Sequence, residues 1–454
     1  MSTGIEEPGT ADTGSWAERD LAVLQHPGMG PEDRRRTVIV RGRGATVWDS
    51  EGCEYLDAQS GAWLAHVGHA RPELAEAARA QILSLEHFST GGMFSNKPAV
   101  ELAERLVEKA PDNISRVRFA SCGSEADDEA FKYARLYHAV RGERSRTWVL
   151  SLEGCFHGRS YAGAALQGFT EEQGLGPMLE HVRQVVAPHA GNRALWGDGD
   201  ATEYCVAELR RTIAELGAEN IAALFAEAVM TGPGMAELPR DYWPRVAEVL
   251  AEHGILFVLD EVVTAFGRCG DWFAANLYGV RPDIITLAKG IASGYAPLAA
   301  ILLAEGVAEA VEGADGGGSY GGHAVACAVA LANIDVIEKD GLVERSADLG
   351  RRMKARLQGL CELPVVSHVS GEGLMMGVHL TGDSEGGGPP LVEESVIDTL
   401  FEDEYGIITM YYNGVINIMP PLVTTDAEAD RIVSAFFAVL RRVHPDGTVD
   451  AAGT

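Results

Sequence analysis

The chain contains 454 residues, of which 46% are hydrophobic and 23% charged, and its acidic side chains outnumber the basic ones 66 to 37. This length predicts two domains, or one large α/β body with a smaller partner. The net charge of −29 repels phosphate backbones and anionic membranes, and no apolar run reaches the roughly 18 residues that cross a bilayer, so we expect neither nucleic acid nor membrane as a partner.

The cysteines indicate an intracellular protein. All 7 are scattered without a CxxC pair, and the first residues lack the basic and apolar regions of a secretory signal. This pattern favours reduced thiols in the cytoplasm and indicates no zinc site, no other metal centre and no disulfide framework.

The two ends of the chain differ from its middle. Residues 1–30 and the tail 446–454 lack apolar periodicity and are predicted to be mobile. Within residues 31–75, the stretch 37–58 alternates apolar and polar residues, which predicts a small antiparallel meander. Residues 331–445 combine long helical stretches with mixed strands, and we interpret them as the C-terminal part of a smaller domain.

Residues 76–330 have the pattern of a large α/β domain. From Arg71 to about Ala330, amphipathic stretches such as PELAEAARAQILSL alternate with short apolar runs such as RTWVLSL, AALFAEAV and GILFVLDEV. Runs this apolar are typical of parallel strands that helices cover on both faces.

A candidate anion site lies in FASCGSEADDEAFKYAR, residues 119–135. A strand is predicted to end at Gly123 and Ser124, where a helix begins, and the free N–H groups of a helix start can bind an anion. Taken alone, a Gly-Ser helix start can equally be an ordinary N-cap.

Two further candidates lie between residues 255 and 303. Asp260 closes an apolar strand, and in an open parallel sheet ligands bind just beyond the carboxyl ends of strands. Lys289 follows the next short strand, PDIITLA, where desolvation would lower the lysine pKa and expose a neutral amine able to form a Schiff base. Each residue alone could be structural, a strand end or a surface lysine.

Together these residues resemble a known family. The apolar strand with DEV, the GRCG, PDI and AKG sequences and the Gly-rich loop ending in a Pro-Leu pair are similar to the class III, or omega-aminotransferase, family of fold-type I enzymes that use pyridoxal 5'-phosphate (PLP). The resemblance runs from Leu56 to Val433. It implies an α/β fold with a mostly parallel seven-stranded sheet covered by helices, a smaller α+β domain built from the chain ends, and PLP as cofactor.

The resemblance also implies roles for matching residues. Lys289 would carry PLP as a Schiff base and act as acid and base, and Asp260 would keep the pyridine nitrogen protonated. Gly123 and Ser124 match the SGSEA phosphate loop. The other implied cofactor contacts are Phe156 by ring stacking, His157, Glu227, Val262 and Ser319, the last reaching the phosphate from the neighbouring subunit of a homodimer.

The chain departs from the family pattern near the cofactor. Cys122 and Asp127 replace the usual Ser and Asn of the phosphate loop, which keeps the backbone donors but adds charge at Asp127. Ala228 replaces the proline after Glu227. Trp63, Phe88 and Phe94 fall at family positions that line the substrate pocket, although each could equally be core packing.

The substrate end of the site lacks two arginines. Asn417 and Met410 occupy positions where family members have a carboxylate-binding or flexible arginine. We expect the pocket to be lined instead by Met410, Tyr411, Tyr412 and Met419. We therefore expect at least one substrate without an adjacent carboxylate. The alternative is that Arg159, Arg268 or another arginine binds a carboxylate instead.

The resemblance favours an omega-transaminase that moves an amino group from an amine or amino acid to a ketone, aldehyde or keto acid in a ping-pong reaction. The same fold and Schiff base also serve racemases, epimerases, decarboxylases and aminomutases. A non-catalytic scaffold would be expected to have lost Lys289 or Asp260, and both are present. The substrate is a small molecule or the reactive end of a peptide or carrier-bound compound.

Overall fold

The computed structural model describes residues 14–27, 35–168, 174, 176–314, 318–382, 392 and 394–451. The strands are β1 (Ile39–Arg43), β2 (Thr46–Asp49), β3 (Glu54–Asp57), β4 (Ile114–Ala120), β5 (Trp148–Leu152), β6 (Val182–Val185), β7 (Ile221–Glu227), β8 (Val229–Met230), β9 (Ala236–Glu237), β10 (Leu256–Asp260), β11 (Ile284–Leu287), β12 (Ala299–Ala304), β13 (Val366–Glu372), β14 (Met375–Leu380), β15 (Ile407–Ile408), β16 (Met410–Tyr412) and β17 (Val415–Ile418). The helices are α1 (Trp16–Val23), α2 (Ser60–Trp63), α3 (Pro72–Ser84), α4 (Lys97–Lys109), α5 (Gly123–Val140), α6 (Tyr161–Leu166), α7 (Ala201–Leu216), α8 (Tyr242–His253), α9 (Ala274–Tyr278), α10 (Glu305–Ala310), α11 (Ala324–Lys339), α12 (Leu342–Leu357), α13 (Glu394–Tyr405) and α14 (Asp426–Leu440).

The central feature is a seven-stranded sheet in the order β4-β12-β11-β10-β7-β5-β6. Strands β11, β10, β7, β5 and β6 pair in parallel, whereas β12 runs antiparallel to both of its neighbours. Every residue of β7 and β10 is buried, as expected for strands covered on both faces. The predicted fold class, with its mostly parallel seven-stranded sheet, is confirmed.

The two ends of the chain meet in smaller sheets. Strands β1, β2 and β3 form the predicted antiparallel meander, and β15 joins it in parallel with β3. A second four-stranded sheet has the order β13-β14-β17-β16. Residues before and after the large sheet therefore build the smaller α+β part together.

Helices α1 and α11 can be compared with the segments predicted from the sequence. Helix α1, with a capping box between Ser15 and Glu18, lies within the segment 1–30, whose mobility stays a prediction. Helix α11 runs through the predicted boundary between residues 330 and 331 and packs on α3 and α4. In the part of the chain that the structure describes, no helix is both long and apolar enough to span a membrane.

Candidate active site

The carboxyl ends of three neighbouring strands bring the central polar residues together. In the register of the sheet, Asp260 at the end of β10 pairs with Glu227 on β7 and with Thr286 on β11. All three side chains are buried. Lys289 follows three residues after Thr286, so one edge of the sheet carries two carboxyl groups and an amine.

Asp260 is held by hydrogen bonds on both of its oxygens. His157 Nδ1 lies 2.9 Å from Oδ2, and the backbone N–H of Val262 donates to Oδ1 at 2.9 Å. His157 is fully buried, and its Nε2 has no partner among the described residues. These contacts fix the carboxylate and leave His157 as an orienting group beside it.

Asp127 is a second carboxyl group next to this pair. It accepts a hydrogen bond from Thr286 Oγ1 at 2.8 Å, and its oxygen, His157 and Asp260 offer polar atoms within 4.8 Å of one another. Burial raises the pKa of Asp127 well above its ordinary value, and the neighbouring Asp260 charge raises it further. The surroundings of Asp127 therefore disfavour the charge that the sequence led us to expect there.

Lys289 lies in a strained turn at the edge of the site. It opens the 3-10 turn Lys289–Ile291 with a φ of +39°, a conformation unusual for a residue with a side chain. Burial lowers the pKa of its amine, although Asp260 and Glu227 oppose that change. The Lys289 Nζ stands 5.3 Å from the centre of the Trp63 ring.

Close packing explains why a glycine, Gly290, follows Lys289. A Cβ on Gly290 would come within 2.3 Å of the ring of His66, a fully buried histidine. Burial lowers the pKa of His66 well below its ordinary value. Sequence reasoning missed His66, because an isolated histidine in an apolar stretch carries no signal of its own.

The predicted anion cradle falls at the start of α5, the helix that begins at Gly123. A Cβ on Gly123 would lie 3.1 Å from Val262, so the backbone at Gly123 approaches the turn that follows Asp260. The Ser124 hydroxyl accepts the backbone N–H of Arg159 at 3.0 Å. The free N–H groups at the start of this 18-residue helix can bind a phosphate.

Glu227 anchors the segment that carries Phe156 and His157. Its carboxyl group accepts the backbone N–H of Phe156 at 2.8 Å and the hydroxyl of Thr231 at 2.7 Å. Burial and the nearby Asp260 charge raise the pKa of Glu227 to about 7. Phe156 is half-buried, so its ring is available beside the site.

The residues predicted for the substrate pocket fall into separate places. Trp63 is half-buried beside Lys289, whereas Phe88 and Phe94 are exposed and contact each other edge to face at 5.3 Å. Ser319 is exposed as well. The glycine before it, Gly318, lies against the side chain of Glu125 in the first turn of α5.

The interpretation of β16 needs a correction. Met410 pairs with Asn417 across the two strands, whereas Tyr411 pairs with Ile416. Because successive side chains of a strand point to opposite faces, Met410 and Tyr411 cannot line the same surface. Tyr411 is 3% exposed and lies in the hydrophobic core, so Met410 and Asn417 remain together without it.

The two arginines considered as substitutes differ sharply. Arg268 is fully buried and donates to the carbonyls of Leu374 and Pro420 and to Ser60 Oγ, at 2.9, 2.6 and 3.1 Å. Burial lowers the pKa of Arg268 to about 10, and its acceptors leave it tied to the protein. Arg159 is exposed, with its guanidinium 5.6 Å from the Phe156 ring, so it alone of the two stands at the site.

The geometry fits a cofactor with a phosphate at one end and a ring nitrogen at the other. The anion cradle at Gly123, the carboxyl group of Asp260 with its orphaned neighbour His157, and the desolvated amine of Lys289 are the donors and acceptors that PLP requires. They surround one edge of the sheet.

Comparisons with known proteins agree with this arrangement. A family model described as aminotransferase class-III matches residues 29–440. A putrescine–pyruvate aminotransferase of Pseudomonas aeruginosa is 32% identical over 415 residues, covering 87% of this chain and 89% of the relative. A diaminobutyrate–2-oxoglutarate transaminase of Halomonas elongata is 31% identical over 457 residues, covering 96% and 95%.

Solved structures are similar throughout the chain. An amine transaminase from an uncultivated Pseudomonas species, in its PLP-bound form, has a TM-score of 0.88 and 35% identity, covering 92% of this chain and 98% of its own. A thermostable (S)-enantioselective omega-transaminase from Thermomicrobium roseum has a TM-score of 0.88 and 36% identity, with 93% and 96% covered.

Proposed function

Because this chain belongs to the class III aminotransferase family, we propose that this PLP-dependent aminotransferase takes its amino group from an amine without a carboxylate next to the amino group. A ketone, aldehyde or keto acid receives the group in the second half of the reaction. The observation that carries the proposal is that Met410 and Asn417, cross-strand partners, stand where the family resemblance places arginines. A pocket without a guanidinium there favours an uncharged substrate end.

PLP supplies an aromatic ring that withdraws electrons from the substrate carbon. We assign its phosphate to the start of α5 at Gly123 and Ser124, and its ring nitrogen to Asp260. The stacking face of the ring is assigned to Phe156, whose backbone Glu227 anchors, and Val262 closes the opposite side next to Gly123. A buried carboxylate beside the ring nitrogen keeps a proton there, which the electron-withdrawing role requires.

Lys289 is assigned to covalent attachment and proton transfer. Burial lowers the pKa of its amine, so a larger share is neutral and can attack the cofactor aldehyde. With PLP bound, Nζ would accept and return the proton that moves during amino transfer. One amine thus acts as anchor, base and acid in turn.

The names of two relatives point in the same direction. One is named for putrescine, which bears amino groups and no carboxylate, and for pyruvate as its partner. Diaminobutyrate, named for the other, bears a side-chain amine distant from its carboxylate. Neither name fixes the substrate of this chain, but each names a compound that has at least one amino group away from a carboxylate.

The test is the visible absorption of the purified protein loaded with PLP, recorded before and after adding single amino donors. We expect 1-phenylethylamine and putrescine to remove the visible band within minutes, because amino transfer converts the cofactor to its amine form. Bleaching by alanine or glutamate alone would contradict the amine proposal. A band that no donor removes would contradict amino transfer itself.

Two variants serve as controls. Lys289→Ala should lose at least about 10²-fold in amino transfer, since it lacks the group that moves the proton. Arg159→Gln tests the substitute arginine. If Arg159 bound a substrate carboxylate, this variant would raise the KM for pyruvate or alanine and leave the KM for 1-phenylethylamine unchanged.

We also infer a homodimer in the cytoplasm. Exposed Ser319 would then donate to the phosphate held by the neighbouring subunit, and the free cysteines agree with a reducing compartment. Light scattering should give twice the chain mass. Ser319→Ala should weaken PLP binding, whereas an unchanged affinity in a dimer would remove Ser319 from the phosphate site.

A further inference from the structure

We propose that Gln59 is a positioning residue that fixes the indole of Trp63 as a wall of the substrate site and thereby sets the size of amine the enzyme accepts. This inference rests on the proposed function, since it concerns which amine reaches Lys289. Its basis is a pair of hydrogen bonds that connects β17 to Gln59 and Gln59 to Trp63. The sequence pattern indicates neither of these hydrogen bonds.

Trp63 stands directly beside the reacting amine. The centre of its ring is 5.3 Å from Lys289 Nζ, and the side chain is half-buried, with one part packed on the core. A substrate whose amino group approaches Lys289 must pass or contact this ring. The orientation of the indole therefore decides how much room remains next to the reacting atom.

The backbone alone does not fix that orientation. Trp63 has a φ of +68° and Ser60 a φ of +49°, so the turn between them is unusual for residues with side chains. Ser60 is held within the protein by a hydrogen bond to the carbonyl of Met419 at 2.5 Å. This turn carries the Trp63 backbone to the site, and the rotation of the ring is left to side-chain contacts.

Gln59 supplies the contact that stops the ring from rotating. The indole N–H of Trp63 donates to Gln59 Oε1 at 2.7 Å, and Gln59 Nε2 donates to the backbone carbonyl of Asn417 at 2.8 Å. Gln59 is 7% exposed, so both ends of its amide are satisfied inside the protein. If the indole turned away, a buried acceptor would lose its partner, which is unfavourable where water does not replace it.

The distance of Gln59 from the chemistry makes it a positioning residue. In the contacts of the described residues, its side chain bonds Trp63 and Asn417 and does not bond Lys289 or Asp260. Its loss should therefore leave PLP attachment and proton transfer in place. It should change which amines fit, because a mobile indole tolerates larger substrates.

The test is a double-mutant cycle with Gln59→Met and Trp63→Phe, because methionine keeps the length of glutamine without its hydrogen bonds. The readout is the ratio of kcat/KM for isopropylamine to that for the bulkier 1-phenylpropylamine. We expect Gln59→Met to lower this ratio about fivefold, the scale of one hydrogen bond, by changing KM more than kcat. In the W63F background, where no indole N–H exists, the same change should leave the ratio unaltered.

A second measurement does not depend on activity. The part of the tryptophan fluorescence that W63F removes reports on Trp63, and in the cofactor-free protein Gln59→Met should make that part easier to quench with acrylamide. Gln59→Glu keeps the size and the oxygen that accepts the indole N–H, so it should retain the wild-type quenching. If Gln59→Met does not fold, Gln59→Leu, which also lacks both hydrogen-bonding groups, takes its place.

The outcomes distinguish the proposed role of Gln59 from the proposed function of the enzyme. Equal loss of selectivity in both backgrounds, or unchanged quenching in Gln59→Met, overturns the role of Gln59. If the wild-type enzyme converts no amine, the proposed function fails, and quenching still decides whether Gln59 holds Trp63. If amines are converted and Gln59→Met changes neither readout, the positioning inference alone fails.

Discussion

Asp127 and Asp260 lie close together in a buried site, but their hydrogen-bond partners differ. Asp260 is bonded to His157 and to the Val262 N–H, whereas Asp127 has the hydroxyl of Thr286 and faces the Asp260 carboxyl group. Two charges this close in a buried site repel each other strongly. Burial and the neighbouring Asp260 raise the pKa of Asp127, which favours the neutral form of Asp127 and so weakens that repulsion.

We predict that Asp127→Asn makes the cofactor-free protein increasingly more stable than wild type as pH rises. The native Asp127 keeps its proton above the ordinary pKa of 3.8, at which the unfolded chain loses it. Wild-type stability is therefore lost as pH rises from about 4 towards the raised native pKa, whereas asparagine is neutral in both states. Asparagine still offers an oxygen to Thr286.

Urea unfolding over a series of pH values measures this difference. The matched control is Asp128→Asn, which removes one charge from the same helical turn at a position that is only partly buried. A stability difference between Asp127→Asn and wild type that stays constant with pH would show that Asp127 is ionised in the native protein.

At the scale of elements, close backbone contacts hold the smaller part of the protein together. Helix α12 approaches the turn between β13 and β14 so closely that a Cβ on Gly350 would lie 2.0 Å from the carbonyl oxygen of Gly373. Arg268 adds to this by donating to the carbonyl of Leu374, in the same turn, and to that of Pro420 after β17. The Arg268 side chain thus connects the segment after β10 with backbone groups of the smaller sheet.

We predict that Gly350→Ala destabilises the protein by about 1–3 kcal/mol, although it places a better helix former in α12. The gain in helix propensity is at most about 1 kcal/mol, and a clash with a carbonyl of the main chain exceeds it because the backbone cannot rotate away. Gly306→Ala in α10 is the control. It meets no atom within 4 Å and should stabilise by about 0.5–1 kcal/mol in the same urea unfolding experiment.

If Gly350→Ala lowers the free energy of unfolding and Gly306→Ala raises it, the result would support close contact between α12 and the β13–β14 turn. If Gly350→Ala also raised the free energy of unfolding, the helix would have room to move away from that turn, and the approach would not be needed for stability.

At the scale of the whole molecule, we expect the excess of acidic residues to lower the stability of the folded state. The net charge is −29, and many of the basic side chains are already used in surface ion pairs, such as Arg210 with Glu252 and Arg352 with Asp348. Unpaired carboxylates repel one another in the folded state more than in the expanded chain.

We predict that the free energy of unfolding at neutral pH rises when sodium chloride is increased from about 0.01 to 0.15 M, because the screening length falls from about 30 to 8 Å. The rise should shrink at about pH 5.5, where protonation lowers the net charge. Thermal unfolding of the PLP-loaded protein measures it, and a fall in stability with salt at neutral pH would show that attractive ion pairs outweigh the repulsion.

The sequence predicted well what depends on local pattern. Apolar runs ending in Asp260 and preceding Lys289 identify buried parallel strands, and the carboxyl ends of such strands meet at one edge. The start of α5 at Gly123 follows from the same logic, since a strand followed by a helix leaves backbone donors at the turn. The family resemblance, the fold class and the cofactor all follow from these segments.

The sequence alone therefore determined the succession of strands and helices along the chain, the chemistry of the residues at the strand ends and the family to which the chain belongs. The tertiary structure alone decided which distant groups meet. It brings Gln59 to Asn417, 358 residues away, and it binds Arg268 to backbone carbonyls, so that this arginine is not available to a substrate. It also places Tyr411 in the core, whereas Met410 lies on the opposite face of the strand. It also decided the raised pKa of Asp127, which comes from burial and from the neighbouring Asp260. The physical reason is that burial, hydrogen-bond partners and neighbouring charge depend on contacts between segments far apart in the chain, which no local pattern contains.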